Sequence, residues 1–347
     1  MNSCKVNWVQ SLAAARGLKP TRAKNWNIVK GCSPVSAGCE HCYAARLAAT
    51  RLAHNPRYAG LAEKYEGGYR YNGRIRLDEE LLLEPLKACT PAVVFVCSMG
   101  DLFHEDVPDK YIDQVFAVMA ATPHLVYQVL TKRPERMADY FNNRDDTAGH
   151  IDFQLVQILG AERDTDDPTM QRVCRRWPLH NVWLGTSVEN QVMADKRIPH
   201  LLRCPAAVRF VSVEPMLGAV DASSHLPCPE CKGHGRYVVG NSFRQPLPNT
   251  EPCQRCIKAA KACGQMFPAK SIAKRTAPYI DWVIVGGESG PGARPMHPDW
   301  PCAVRDQCID AGVPFFLKQM RVNGKIEHMP KLEGKVWDQV LGVTGEH

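Results

Sequence analysis

The sequence predicts an α/β fold, a (β/α) barrel that is partial or fully closed like a TIM barrel. Short apolar, β-branched runs recur along the chain, helical patterns fall between several of them, and polar motifs follow the ends of the runs. The runs are mostly continuous rather than alternating, which is typical of parallel strands buried on both faces. Strand and helix in alternation predict right-handed βαβ units.

Seven runs are interpreted as strands, and this number favours a barrel over a doubly wound sheet. The predicted strands are Trp26–Lys30, Val93–Cys97, Val126–Thr131, Val182–Thr186, Val208–Val213, Trp282–Val285 and Pro314–Leu317. Helices are predicted at Ala44–Leu52, Tyr111–Thr122, Arg133–Asn142 and Asp299–Ala311. In a parallel barrel the carboxyl ends of the strands meet at one face, so the polar motifs that follow them should converge there.

Two regions interrupt the alternation of strand and helix. Asn142–Leu179 is charged and irregular and is predicted to be a surface excursion. Ser223–Arg275 is rich in cysteine and basic residues and is predicted to be a small inserted module. The chain therefore divides into the first part of the barrel (1–222), a basic Cys-rich metal-binding insert (223–275), and the remainder of the barrel with a C-terminal tail (276–347).

The chain carries 15 cysteines, which is many for the cytoplasmic location that the sequence predicts. No apolar run approaches the roughly 20 residues needed to span a bilayer. The N-terminus also lacks the pattern of a secretory signal, so no membrane partner is expected. Because cytoplasmic cysteines rarely form disulfides, clustered ones indicate metal or redox chemistry.

The first cysteine cluster is Cys32, Cys39 and Cys42, in one loop after the first predicted strand. Three thiolates can bind three irons of a cubane [4Fe–4S] cluster and leave the fourth iron for a small molecule. Two alternatives are a closed zinc site completed by His41 and a group of plain buried thiols. His41 lies between two of the cysteines, and so short a loop would struggle to wrap all four ligands around one ion.

Several further motifs accompany this loop along the chain. They are the Cys42-Tyr43 end of the loop, Gly100-Asp101-Leu102-Phe103-His104, Leu130-Thr131-Lys132-Arg133, Ser187-Val188-Glu189-Asn190, Val213-Glu214-Pro215-Met216 and Val285-Gly286-Gly287-Glu288-Ser289-Gly290. With the three cysteines they resemble the radical S-adenosylmethionine (SAM) superfamily, and specifically a phage-associated, largely uncharacterised family of radical-SAM-like proteins. The cysteine spacing here is C-x6-C-x2-C, whereas the superfamily usually has C-x3-C-x2-C.

The resemblance implies a [4Fe–4S] cluster and SAM as cofactors, with a one-electron reductant such as flavodoxin or ferredoxin as partner. The methionine end of SAM would chelate the open iron, and one electron would cleave SAM to methionine and a 5′-deoxyadenosyl radical. That radical would abstract hydrogen from the substrate, so most of the difficult chemistry belongs to the cofactor. Isomerase, lyase and transferase outcomes all remain open.

The cofactor contacts are expected among the motifs that follow the strands. Superfamily members often bind the methionine amino group with a Gly-Gly-Glu-like motif after the second strand, but here Ser98 and Asp101 follow that strand. The expected cofactor-binding residues are Ser98, Asp101, Ser187, Glu189, Glu214, Gly286, Gly287 and Glu288. Candidate catalytic or substrate-contacting residues are Tyr43, His104, Lys132 and Arg133, together with Lys318 and Gln319.

The second cysteine cluster lies in the predicted insert and resembles a zinc ribbon. Cys228 and Cys231 form one C-x2-C pair, and Cys253 and Cys256 form another, which is a spacing typical of a closed tetrahedral Zn²⁺ site. Such a site can hold a small segment that has no core of its own. The alternatives are an auxiliary iron–sulfur cluster, for which Cys263 and His234 are spare ligands, and no metal at all.

The insert also carries the whole charge excess of the chain. Residues 223–275 contain nine Lys and Arg against two Glu, a net charge of +7 that equals that of all 347 residues. A basic module with aromatic side chains suits a nucleic-acid backbone or nucleotide, although a solvated basic face is the plainer interpretation. The leading hypothesis is therefore a radical SAM enzyme acting on a nucleobase, nucleotide or nucleic acid, as in modification or repair of phage DNA. Its rivals are a non-catalytic nucleic-acid-binding protein with structural zinc sites and a radical SAM enzyme acting on a peptide.

Overall fold

A computed structural model describes residues 1–160, 178–227, 278–290 and 292–341, and the backbone of two short strands at 236–238 and 250–252. The helices, numbered in chain order, are α1 (Asn7–Ala15), α2 (Tyr43–Ala49), α3 (Glu79–Leu82), α4 (Asp109–Ala121), α5 (Pro134–Asn142), α6 (Thr147–Leu159), α7 (Gln191–Arg203) and α8 (Asp299–Ala311). No helix among the described residues is long and apolar enough to cross a membrane.

The strands are numbered through the chain in the same way. They are β1 (Asn2–Ser3), β2 (Ala23–Trp26), β3 (Val29–Lys30), β4 (Ala62–Tyr65), β5 (Gly68–Tyr71), β6 (Arg76–Leu77), β7 (Ala92–Val96), β8 (Leu125–Thr131), β9 (Val182–Val188), β10 (Val208–Val213), β11 (Arg236–Val238), β12 (Thr250–Pro252), β13 (Trp282–Gly286), β14 (Phe315–Val322), β15 (Lys325–His328), β16 (Lys331–Leu332) and β17 (Lys335–Val336).

One nine-stranded sheet organises the protein, in the order β1-β2-β7-β8-β9-β10-β13-β14-β15. Its middle strands, from β2 to β14, are parallel and follow one another in chain order, as right-handed βαβ connections produce. The strands at the two edges, β1 and β15, are antiparallel to their neighbours. The predicted α/β class with a large parallel sheet is confirmed, and the sheet as described is open rather than closed.

Each parallel strand buries both of its faces, as the continuous apolar runs predict. Along β7, Val94 and Val96 belong to the outer core beneath the helices, whereas Val93 and Phe95 belong to a second core on the inner face. This inner core takes aromatic side chains from several strands, among them Trp183, Phe210 and Trp282. The sheet therefore separates a helix-covered outer face from an inner face that needs a different cover.

The first helix, α1, covers the inner face. Its Trp8 ring lies 5.1 Å from Phe95 on β7, 5.9 Å from Phe210 on β10 and 5.8 Å from Trp282 on β13, measured between ring centroids. The helix also contacts β2 and β14, which are six strand spacings apart in the sheet. Because neighbouring strands are about 4.8 Å apart, these two strands would lie about 29 Å apart in a flat sheet. A helix is only about 10 Å wide. The sheet must therefore curve around α1.

The structure corrects two local expectations. The first parallel strand is β2, not the predicted Trp26–Lys30. Its sequence is Ala-Lys-Asn-Trp, and because Lys24 and Asn25 are polar it does not form an apolar run. The later residues Val29–Lys30 leave the sheet and pair antiparallel with β6. The segment expected to be irregular between residues 142 and 179 contains α6, which packs on α4 through a buried Ile151 and Leu155.

Candidate metal centre and cavity

A cavity of about 810 Å³ lies at the carboxyl ends of the parallel strands. Its floor includes Trp8 of α1 and Phe95 of β7, and its walls carry polar side chains from the ends of six strands. Most of the predicted site residues line it, although they are spread over more than 280 residues of sequence. These residues are Cys32, Cys39, Cys42, Tyr43, Ser98, Asp101, Lys132, Arg133, Ser187, Glu214, Gly287, Glu288, Lys318 and Gln319.

The cysteine loop runs from Cys32 to Cys42, between β3 and α2. Its start is fixed by Gly31, whose N–H donates to the Met99 carbonyl oxygen at 3.1 Å and which bridges to Gly100. Its end is the residue preceding α2, and the hydroxyl of Tyr43 in the first turn donates to the Ser98 carbonyl oxygen at 2.6 Å. The loop is therefore tied at both ends to the segment that follows β7.

Arg133 holds the Cys32 end of the loop. Its Nη1 donates to Cys32 Sγ at 3.3 Å, and its Nη2 donates to the Ser33 carbonyl oxygen at 3.0 Å and to Ser33 Oγ at 2.6 Å. Burial works to lower the pKa of Arg133, but Asp101, Cys32 and Glu105 outweigh it and raise that pKa. Arg133 therefore stays charged beside the thiol.

Asp101 and His104, both expected to contact ligand or substrate, are occupied by protein contacts. Asp101 Oδ1 accepts from Thr131 Oγ1 at 2.7 Å, and its Oδ2 accepts from the backbone of Lys132 and from Arg133 Nη1. His104 is buried outside the cavity lining; its Nδ1 accepts from the Asp106 N–H, so its Nε2 carries the proton and faces Ser33 Oγ at 3.0 Å. Burial and then Arg133 lower the pKa of His104.

Glu189 lies outside the cavity lining and is fully buried, with 0% of its surface exposed. Its Oε2 accepts from Arg197 Nη1 of α7 at 2.9 Å, and its Oε1 lies 3.4 Å from the donating N–H of Gly38 in the cysteine loop. A Cβ at position 38 would lie 3.2 Å from the Glu189 carboxyl carbon. Glu189 therefore anchors the middle of the loop.

Glu288, the acid of the Gly-Gly-Glu motif, is held by Arg294. Arg294 donates to both carboxylate oxygens of Glu288, with Nη2 2.5 Å from Oε1 and Nε 3.0 Å from Oε2. It also donates to Glu40 Oε2 at 2.6 Å and to the Ala37 carbonyl oxygen at 2.8 Å. The segment after β13 is thereby joined to the cysteine loop.

The three thiols of the loop are free, in environments that differ. Burial, with a smaller contribution from Asp101, raises the pKa of Cys32 to about 12, against the opposing charge of Arg133. Burial also raises the pKa of Cys42, although the N–H groups of Ala44 and Ala45 at the start of α2 oppose it. Among the residues that the structure describes, no three His, Cys, Asp or Glu side chains are grouped so as to hold one metal ion.

A charged pair projects into the cavity from other strands. Lys318 Nζ lies 2.5 Å from Glu214 Oε1, and Gln319 Nε2 donates to the Gly287 carbonyl oxygen at 2.9 Å and lies 3.4 Å from Glu214 Oε1. Glu214 and Lys318 each expose about a fifth of their side chain. A Cβ at Gly286, which is not in the lining, would lie 3.3 Å from the Glu214 carboxyl carbon, so Gly286 makes room for Glu214.

Four predicted metal ligands lie outside the described residues, and three residues of the site were not predicted from the sequence. Cys228, Cys231, Cys253 and Cys256 lie outside the described residues, so the metal site of the insert stays a prediction. Sequence reasoning missed Arg197, Arg294 and the cavity-floor residue Trp8. Arg197 sits on one face of a helix with ordinary charge patterning, and Trp8 precedes the first recognised strand. Of the three, only Arg294 could have been predicted as a site residue, because it follows the glycine-rich segment after β13.

Gly31 provides a test of how tightly the loop is anchored. Its φ is +86°, and a Cβ there would collide with the carbonyl oxygen of Arg74. We expect Gly31→Ala to lower the free energy of unfolding by about 3 kcal/mol, because backbone strain and overpacking add. The matched control is Gly17→Ala, at φ +70° with nothing within 4 Å, which should cost only about 1 kcal/mol. Equal losses of stability for Gly31→Ala and Gly17→Ala in urea unfolding would contradict the close approach of Gly31 to the Arg74 carbonyl oxygen.

Glu288 provides a test by pH. Burial raises its pKa, but the hydrogen bonds and charge of Arg294 outweigh burial and hold that pKa below its usual 4.5. A carboxyl of this kind stabilises the fold above its unfolded-state pKa, and the contribution is lost as the pH falls through the folded-state pKa. The free energy of unfolding should therefore fall less between neutral pH and about pH 3 in Glu288→Gln than in the wild type. Glu135→Gln, at an exposed position, is the control. Identical pH profiles for the wild type, Glu288→Gln and Glu135→Gln would refute the pairing of Glu288 with Arg294.

The family model described as a protein of unknown function (DUF5131) matches residues 21–341. No curated protein and no solved structure matches the chain.

Proposed function

The chain belongs to the DUF5131 family, and we propose that it is a radical SAM enzyme whose cluster is held by Cys32, Cys39 and Cys42. The observation that carries this proposal is the convergence of those three cysteines on one cavity with polar residues from the ends of six strands. Function in parallel α/β proteins resides at that edge of the sheet. The curved sheet is, in this proposal, a partial (β/α) barrel.

The donor set fits a cluster with one open coordination position. Thiolates are the usual ligands of iron–sulfur clusters, and a cluster with three cysteines leaves one iron for a small molecule. All three thiols are free and line the same cavity, so none is committed to a disulfide. Cys42 directly precedes α2, and the N–H groups of Ala44 and Ala45 lower the pKa of its thiol, against the larger effect of burial, which raises it.

The loop is held by side chains from three separate strand ends. Arg133 follows β8 and holds residues 32 and 33, Glu189 follows β9 and holds Gly38, and Arg294 follows β13 and holds Ala37 and Glu40. Ligands must be placed to within a fraction of an ångström to bind a metal group well. In this proposal, the support from these strand ends fixes the loop for that purpose.

The bound cluster with SAM supplies radical hydrogen abstraction, and the protein's own residues bind and orient the reactants. Lys132 offers a positive charge in the cavity, while the Glu214–Lys318 pair offers a carboxylate and an ammonium group. Trp8 and Phe95 contribute apolar surface to the lining. We assign these groups to the binding of SAM and substrate, and the electron to a flavodoxin- or ferredoxin-like donor in a reducing, cytoplasmic compartment.

The substrate class in this proposal is a nucleobase, nucleotide or nucleic acid. It rests on the net charge of +7 within residues 223–275 and on the two C-x2-C pairs there, which a Zn²⁺ ion would organise. A basic module that binds a phosphate backbone would bring the base to the cavity. Deleting the insert should then abolish salt-dependent DNA binding, and unchanged DNA binding would remove the nucleic-acid part of the proposal.

Anaerobic reconstitution with iron and sulfide tests the cluster directly. The wild-type protein should acquire the broad visible absorbance of an iron–sulfur cluster, with about four irons for this site. Reduction should then produce the electron paramagnetic resonance signal of a [4Fe–4S]⁺ cluster, and addition of SAM should change that signal. A protein that stays colourless and binds no iron would refute the proposal.

A further inference from the structure

Arg133 carries more contacts to the cysteine loop than anchoring requires. Its contacts with the Ser33 carbonyl oxygen at 3.0 Å and with Ser33 Oγ at 2.6 Å already hold the start of the loop. The guanidinium nevertheless places one further N–H 3.3 Å from Cys32 Sγ. We infer that Arg133 is a positioning residue that sets the reduction potential of the cluster through Cys32, an inference that rests on the proposed function.

The physical basis is the charge of the two redox states. A reduced cluster carries one more negative charge than the oxidised one, and a hydrogen bond to a ligating sulfur stabilises the more negative state. Contacts of this kind around the ligands are known to tune the properties of metal sites. Arg133 therefore favours reduction and makes the reduction potential less negative.

The surroundings of Arg133 keep its guanidinium in this orientation. Asp101 Oδ2 lies 3.3 Å from the same Nη1, and Glu105 Oε2 accepts from Nε at 2.8 Å. Only 9% of the Arg133 surface is exposed. A planar fork with fixed partners cannot swing away from the sulfur, whereas a lysine at this position would place its charge without that geometry.

The experiment compares reduction potentials of reconstituted proteins, measured by anaerobic dye-mediated titration with electron paramagnetic resonance detection. Arg133→Met should shift the potential to more negative values, and Arg133→Lys should shift it in the same direction by a smaller amount. Iron content is measured in parallel, so the result does not depend on enzymatic activity. Arg136→Met is the matched control, because Arg136 pairs with Asp109 and does not touch the cysteine loop.

Arg133→Met leaves Asp101 without its charged partner and is the variant more prone to misfold, so Arg133→Lys carries the test if the methionine variant binds no iron. A negative shift in Arg133→Lys with wild-type iron content supports the inference. A wild-type potential in an iron-loaded variant overturns it, and so does loss of the cluster from both variants, since Arg133 would then serve assembly. Absence of iron from the wild-type protein would instead mark the failure of the proposed function itself.

Discussion

Each of the variants Cys32→Ala, Cys39→Ala and Cys42→Ala is expected to lose about four irons per chain and all formation of 5′-deoxyadenosine. The three thiols come from one loop and line one cavity. The lining also includes Cys97, which directly follows β7 and lies outside the loop, so we do not expect it to replace a lost ligand. Iron and acid-labile sulfide are measured after anaerobic reconstitution. Any iron bound by the cysteines of the insert stays as a constant background in all three variants.

Cys89→Ala is the control, because Cys89 is exposed and lies away from the cavity lining. It should keep the iron content and activity of the wild type. If alanine at any one of the three loop positions left both quantities unchanged, that cysteine would not be a ligand. If all three variants did so, the loop would not hold the cluster.

Arg197→Met is expected to cause the largest loss of stability, about 3–5 kcal/mol in the free energy of unfolding. Arg197 is the charged partner of Glu189, and both are buried, with 4% and 0% of their surfaces exposed. Removing the arginine leaves a carboxylate buried in the protein without a counter-charge, which costs far more than the net value of the pair. Urea unfolding monitored by circular dichroism measures the loss.

The double variant Glu189→Met/Arg197→Met separates charge burial from packing. Because it removes both charges, it should recover much of the stability that Arg197→Met loses. It should still weaken cluster assembly, since the contact between Glu189 and the Gly38 N–H is also lost. A stability loss below about 1 kcal/mol in Arg197→Met would show that the pair is not buried as described.

The parallel sheet was predictable because a strand buried on both faces leaves a continuous apolar run. β8, β10 and β13 were placed to within a residue or two for this reason. β2 was misplaced because, near the edge of the sheet, its side chains include Lys24 and Asn25. The role of α1 was not predictable at all, since covering the inner face depends on contacts with β7, β10 and β13 that are remote in sequence.

The position of the site was easier to predict from the sequence than the roles of its residues. Polar residues at the ends of parallel strands were expected to converge, and most of them line the cavity. The sequence predicts ligand contacts for three carboxylates that the fold pairs with other side chains. Asp101 accepts from Thr131, Glu189 from Arg197, and Glu288 from Arg294. Sequence shows that a carboxylate is present at a strand end, but only the fold shows which arginine faces it.

The most direct measurement of the central claim is the fate of SAM on the wild-type protein. Anaerobically reconstituted full-length protein is reduced with dithionite, mixed with SAM and analysed by chromatography with mass detection. We expect 5′-deoxyadenosine and methionine to form in equal amounts, both absent without reduction and absent in Cys42→Ala. Iron-loaded, reduced protein that leaves SAM intact in the presence and absence of DNA and nucleotides would contradict it.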